Sequence, residues 1–164
     1  MFEEEDFEML RLTVKDFLDS LTHKPELPIV SRGANLKEVV CAMVKGYQRR
    51  IVYIVDSGGR IMGSITLSDL KDIAFRYYLD GRLSDLMVIT EHIEGLFTSE
   101  RAVDLMDINF PLCHENERLG DVIAKMIQKD VQDMPVLDKG GRVVANLDML
   151  DLLELWVKRG EDLF

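Results

Sequence analysis

Two residues in the stretch IMGSITLSDLKD (61–72) have the types and the spacing to hold a nucleotide. Thr66 ends a strand-like run at the predicted N-cap of a helix. There, unpaired backbone N–H groups and the helix dipole favour an anion, and its hydroxyl can donate to a phosphate oxygen. Asp69 falls in the first turn of that helix, where a carboxylate can accept hydrogen bonds from two vicinal ribose hydroxyls. An adenine could be held by the backbone near Ile29 and Val30, with apolar side chains over its faces. Arg32, Arg49 and Arg50 flank the strands as candidate phosphate partners; each also reads as ordinary surface charge. TLSD has the plain form of a capping box as well, and TVKD (13–16) repeats that form. The motif by itself leaves both roles open.

The chain makes a similar strand-to-helix turn again in VVANLDMLDLLE (143–154). Here Asp148 stands in place of the threonine, Asp151 in place of Asp69, and Ala145 in place of Gly63. An aspartate caps a helix as well as a threonine does. Beside a phosphate, however, it adds like-charge repulsion and removes a donor. The expectation is one competent site and one degenerate site, the second built from Asp148, Asp151 and the run at Leu112 and Cys113. That second site would hold an uncharged adenosyl group, require a bridging cation, or stay empty.

The elements that must position these residues are also written twice. LKEVVCAMV (36–44) places Leu36, Val39, Val40, Met43 and Val44 on one helical face, and LGDVIAKMI (119–127) places Leu119, Val122, Ile123, Met126 and Ile127 at the same spacings. Each helix leads to a β-rich run, IVYIVD (51–56) or DMPVLD (133–138), then a turn, SGGR or KGGR, then a return strand and a helix. The Gly-Gly pairs predict hairpin turns, because both glycines can take positive φ. Upstream, VKDFLDS (14–20) resembles AVDLMDI (102–108), and LPIV (27–30) and FPLC (110–113) read as short strands. The first copy is longer near THKPELP (22–28), read as a surface turn. Repeat 1 is assigned to 14–80, a linker to 81–101 and repeat 2 to 102–159, with Gly81 as a helix C-cap and SDLMVITEHIEGLF as a packed linker helix. A unit of three strands and two helices has a small core, which pairing two copies would enlarge.

These ordered, duplicated motifs resemble a tandem pair of cystathionine-β-synthase (CBS) domains over about 14–158. The resemblance implies an α+β fold, in which two CBS repeats, each a small β-sheet flanked by helices, pack about a pseudo-two-fold axis. It implies clefts between the repeats that bind AMP, ADP, ATP or S-adenosylmethionine, and pairing of whole modules into a homodimer. It also implies binding residues at a hydroxyl followed three residues later by an aspartate. Thr66 and Asp69 match that pattern; Asp148 and Asp151 depart from it at the hydroxyl.

The 164 residues carry a net charge of −10, with 47% hydrophobic residues and a mean hydropathy of −0.01. A duplex-binding protein needs a basic face, which this balance disfavours. No apolar run approaches the ~18 residues of a membrane span, and the acidic start MFEEEDFEML lacks a basic signal-peptide region. Its Phe7 and Leu10 read as the inward positions of a helix. Cys41 and Cys113 stand apart from any metal-ligand spacing and read as small apolar residues in a reducing, cytoplasmic setting. Cys113 and His114 are adjacent, so on a strand they face opposite sides and make no nucleophile–base pair. The methionines and Tyr77, Tyr78, Phe97 and Trp156 read as packing residues, and the surplus of apolar positions around Leu152, Leu153, Leu155 and Trp156 suits a subunit interface.

The sequence therefore reads as a non-enzymatic regulatory module. It needs no cofactor or metal of its own and takes an adenine nucleotide, with Mg²⁺ possible alongside it, as regulatory ligand. Its repeats use nearly all the residues, so another protein chain or the dimer itself would read the signal. The alternative is a structural or protein-interaction scaffold whose clefts bind no ligand.

Overall fold

The computed structural model describes residues 10–22, 27–45, 50–79 and 86–162, the side chains of 76–79, 86–89 and 159–162 excepted. Phe7, Arg49, Gly81, most of THKPELP and the side chains of Tyr77 and Tyr78 lie outside the described part. In chain order the elements are α1 (Val14–Ser20), β1 (Ile29–Ser31), α2 (Leu36–Lys45), β2 (Ile51–Val55), β3 (Ile61–Thr66), α3 (Leu67–Leu79), α4 (Leu86–Ser99) and α5 (Ala102–Leu105). There follow β4 (Cys113–His114), α6 (Leu119–Lys129), β5 (Asp133–Leu137), β6 (Val143–Asp148) and α7 (Met149–Asp162). The linker helix and both hairpins form where the sequence pattern predicts them.

The chain divides into two compact units. One comprises the described residues from Leu27 to Phe110, and holds the sheet β1-β2-β3. In it β1 runs parallel to β2, and β3 antiparallel to β2. The other joins α1 to the residues from Pro111 onward, and holds the sheet β4-β5-β6 in the same order and directions. The compact units are thus displaced by one helix from the repeats as written. The leading helix α1 packs with the second sheet, and α5 with the first.

Hydrophobic pattern and backbone bonds explain that exchange. Val14 and Phe17 of α1 are wholly buried in a core with Cys113, Leu119, Val122, Met126, Met134, Val136, Leu147 and Leu152. Val14 and Lys15 donate their N–H groups to the Glu117 and Glu115 carbonyls, and Leu119 N–H returns to Leu12. The first unit repeats the arrangement with Ala102 N–H on the Ala34 carbonyl and Leu36 N–H on Glu100. Its core is Leu36, Val39, Met43, Val52, Ile54, Ile65, Leu70 and Ala102. A wholly buried Phe contributes about 1.5–3 kcal/mol in apolar burial, so Phe17 holds α1 in place.

Three details differ from the sequence expectation. Only the second glycine of each pair, Gly59 (φ 82°) and Gly141 (φ 80°), takes positive φ. Asp56 and Asp138 organise these loops instead: Asp56 Oδ1 accepts from the Gly58 and Arg60 N–H groups, and Asp138 Oδ1 from those of Gly140 and Arg142. The Gly59 N–H then closes on the Asp56 carbonyl, so the turn ends in one left-handed glycine rather than using two. Val44 and Ile127, at the ends of the apolar stripes of α2 and α6, are 67% and 70% exposed. Finally, α5 stops at Leu105, because Asp107 pairs with Ser64 on the outer edge of β3 through two backbone bonds of 2.8 and 3.0 Å.

Candidate functional site

In the first unit the register brings Thr66 and Asp69 to the end of the sheet where β1 and β2 begin. Thr66 is the last residue of β3 and pairs with Ile51. Asp69 lies in the first turn of α3. The two close a capping box: Asp69 N–H donates to Thr66 Oγ1 at 3.1 Å, and Thr66 N–H donates to Asp69 Oδ2 at 2.9 Å. Both residues are half-buried. The box leaves two atoms uncommitted among the described residues, the Thr66 hydroxyl proton and Asp69 Oδ1. These are a donor and a charged acceptor on one helix start.

Ile29 begins β1 and lies level with Tyr53 of β2 and Ser64 of β3, two strand spacings, or about 10 Å, from the β3 side. The Tyr53 N–H donates to the Pro28 carbonyl. In a parallel ladder that register turns the backbone groups of Val30 toward β2, and those of Ile29 and Ser31 outward along the strand edge. The Ile29 N–H bonds to the Leu27 carbonyl and the Ala34 N–H to the Ser31 carbonyl. Among the described residues the Ile29 carbonyl and the Ser31 N–H remain open. They form an acceptor and a donor two residues apart on one edge.

The candidate phosphate cations separate. Arg50 precedes β2 and its carbonyl accepts the Leu67 N–H at 2.8 Å, so this exposed arginine stands beside the Thr66 turn. Arg32 follows Ser31, which pairs with Val55 at the opposite end of β2, roughly 13 Å along the strand. The register places Thr66, Asp69 and Arg50 at one end of the sheet, Ile29 level with the middle of β2, and Arg32 beyond the other end.

The second unit repeats the scaffold with other chemistry. Asp148 pairs with Asp133 across β5 and β6 and caps α7 by accepting the Leu150 N–H at Oδ1, 2.8 Å. That bond replaces the reciprocal box of the first unit. Asp151 lies in the first turn of α7. Gln132, whose carbonyl accepts the Met149 N–H, takes the place of Arg50. The turn therefore carries three carboxylates, where the first has one carboxylate, a hydroxyl and a guanidinium. Among the described residues no group of three or more His, Cys, Asp or Glu is placed to hold a metal ion.

Cys113 is fully buried and its thiol is pushed up to about 12, first by burial and then by the Glu117 charge, against the opposing charge of Lys125. His114 beside it is exposed, as strand alternation requires. Leu112, half-buried, offers its carbonyl to Lys125 Nζ at 3.1 Å. A cavity of about 320 Å³ lined by His114, Glu115, Asn116, Leu137, Asp138 and Lys139 lies at the far end of this sheet from Asp148.

Gly63 has a structural reason. A Cβ there would come within 2.6 Å of the Met106 side chain and 2.9 Å of the Asp107 carbonyl. The close approach that completes the β3 edge requires glycine, so the change to Ala145 is first a matter of packing. Lys125 and Glu117 are not among the residues that the sequence singles out. Their signal was the alignment of SRGANLKEVVCAMV (31–44) with HENERLGDVIAKMI (114–127), which sets them opposite two alanines, Ala42 and Ala34.

The two units, each a three-stranded mixed sheet flanked by helices and written as a tandem repeat, define a paired small-domain fold. The family model for the CBS domain matches residues 12–76 and 102–158, and the chain belongs to the CBS domain family. Among solved structures it is similar to the CBS domain of a CBS-domain-containing membrane protein from Sphaerobacter thermophilus, at 20% identity and a TM-score of 0.68, over 91% of this chain and 90% of that one. It is similar to CBSX2, solved in complex with AMP, at 17% identity and a TM-score of 0.65, over 90% of this chain and 98% of that one. The CBS domain pair of protein MJ0100, solved with 5′-methylthioadenosine and S-adenosyl-L-methionine, matches at 22% identity and a TM-score of 0.61, with the same coverage. No curated protein matches the chain in sequence. The matches indicate no enzyme family, and no helix among the described residues is long and apolar enough to cross a membrane.

Proposed function

We propose that the protein is a non-enzymatic regulatory module that binds an adenosyl ligand at the first repeat, with the ribose on Asp69, a phosphate near Thr66 and Arg50, and the base on the outer edge of β1. The observation that carries this reading is the pair of open backbone groups at Ile29 and Ser31, on the outer edge of the sheet whose β3 leads into the Thr66–Asp69 turn. A capping box alone argues little, since Thr13 and Asp16 close the same box on α1. A box joined to an unsatisfied strand edge is a set of donors and acceptors that a nucleoside complements. The complexes of CBSX2 with AMP and of MJ0100 with 5′-methylthioadenosine and S-adenosyl-L-methionine support the ligand class.

The second repeat, with Asp148 at its turn, disfavours a phosphate. Binding at one repeat would then favour one arrangement of the module, provided that the ligand binds that arrangement more tightly than the others. The readout we assign to a homodimer or a partner protein in the cytoplasm, docking on the apolar face of α7 that leaves Leu150, Leu153 and Val157 exposed. Calorimetric titration with AMP, ADP, ATP, adenosine and S-adenosylmethionine, with and without Mg²⁺, tests the reading. One site per chain is expected; heat from none of them at millimolar concentration leaves the scaffold reading in its place.

A further inference from the structure

We propose that Lys125 and Glu117 close the base position of the second repeat, and that Ala42 and Ala34 are what keep the first one open. This deepens the reading above and rests on its placement of the base at the β1 edge. The outward-facing groups of β4 are the Leu112 carbonyl and the His114 N–H, which correspond to the Ile29 carbonyl and the Ser31 N–H of β1. In the second unit both are already taken. Lys125 Nζ donates to the Leu112 carbonyl at 3.1 Å, and Glu117 Oε2 accepts the His114 N–H at 2.6 Å. The two side chains are joined by a hydrogen-bonded ion pair of 3.2 Å between Lys125 Nζ and Glu117 Oε1.

The pair mimics a base by supplying one donor and one acceptor to the strand edge. An incoming adenine offers its amino group and a ring nitrogen to the same two backbone groups. It would have to displace a charge-assisted bond at each of them and separate two partly buried charges, exchanging stronger bonds for weaker ones. The lysine stem would also have to leave the space. At the first repeat, Ala34 and Ala42 reach neither group, and among the described residues nothing else takes them. The Lys125–Glu117 pair is thus a specificity device, independent of the aspartate that opposes phosphate at the other end of the site.

Adenosine is the discriminating probe, because it carries no phosphate to oppose Asp148. Isothermal titration of the wild-type chain should give one adenosine per chain, and of Glu117→Ala/Lys125→Ala two. The reciprocal graft, Ala34→Glu/Ala42→Lys, should abolish wild-type binding; thermal melts of both variants establish that they fold. A stoichiometry that stays at one in the double alanine variant overturns the proposal, as does a wild type that already binds two. Should the double alanine variant fail to fold, adenosine binding retained by the graft overturns it. If the wild type binds none, the first-repeat reading falls; a rise from none to one in the double alanine variant still upholds the closed second position, and none in both overturns it.

Discussion

Replacing Asp69 with asparagine separates a capping aspartate from a ribose-binding one. Asp69 Oδ2 is committed to the Thr66 N–H at 2.9 Å, and an asparagine oxygen can keep that bond. The fold should therefore lose less than about 1 kcal/mol, the scale of a whole N-cap, which lowers the Tm by at most about 2–4 °C in a chain of this length. The other carboxylate oxygen is the one left for ribose hydroxyls, and exchanging it for an amide removes a hydrogen bond to a charged group, about 1.5–3 kcal/mol. Affinity should fall about 10- to 150-fold. At 100 times its wild-type Kd a ligand adds about 2.7 kcal/mol, a rise of roughly 5–10 °C. With binding weakened about 30-fold, the same concentration adds only about 0.9 kcal/mol, or roughly 2–4 °C. A thermal melt with and without ligand reads both effects. Asp16→Asn is the internal control, since Asp16 and Thr13 form the same box; it should show the small loss of stability and the full ligand shift. A ligand shift in Asp69→Asn as large as in the wild type would refute the assignment.

Gly63→Ala should destabilise the first unit by about 1–3 kcal/mol, because its Cβ meets Met106 and the Asp107 carbonyl and the neighbours must move; urea denaturation measures it, and a neutral result would mean that the Ser64–Asp107 bridge yields freely. In native protein at pH 8 one thiol, the exposed Cys41, should alkylate rapidly, while Cys113, buried and pushed up to about 12, should react only in denaturant; mass spectrometry counts the adducts. For Glu117, burial opposes ionisation, but the His114 N–H, followed by the hydrogen bond and charge of Lys125, outweighs it and holds the carboxyl below its ordinary value of 4.5. Its contribution to stability is therefore complete above about pH 4.5 and fades as the pH falls through the lower folded-state value. Glu117→Gln should be less stable than wild type at pH 7, and the gap in Tm should close on acidification; a gap independent of pH would show that the charge contributes nothing.

Much of this was legible in the residues because it depends on local periodicity. The stripe Leu36–Val39–Met43 and its counterpart Leu119–Val122–Met126 specify buried helix faces wherever the chain goes. The β-rich runs closed by Asp-x-Gly-Gly loops specify hairpins in the same way, although the side chain of Asp56, not a second left-handed glycine, sets the turn. Thr66 and Asp69 could be singled out because a cap and its partner lie three residues apart on one helix start, a distance that sequence spacing alone determines.

Tertiary structure decided what depends on residues far apart in the chain. That α1 joins the core with Leu119 and Leu152, while Ala102 of α5 joins the core with Leu36, follows from which apolar surface each helix can bury, and no local spacing records it. The difference between Gly63 and Ala145 has no visible cause in the sequence until Met106 is seen against Gly63. Arg32 and Arg50 look alike in sequence; strand register sends one to the hairpin end of the sheet and the other to the Thr66–Asp69 end. Lys125 and Glu117, eight residues apart on different local elements, show their joint role only where β4 turns its backbone outward to meet them. The sequence determined the elements and their caps because those interactions close within a few residues. Which strand edge stays open to a ligand was left to packing, because only the folded chain brings a lysine stem across to a carbonyl thirteen residues away.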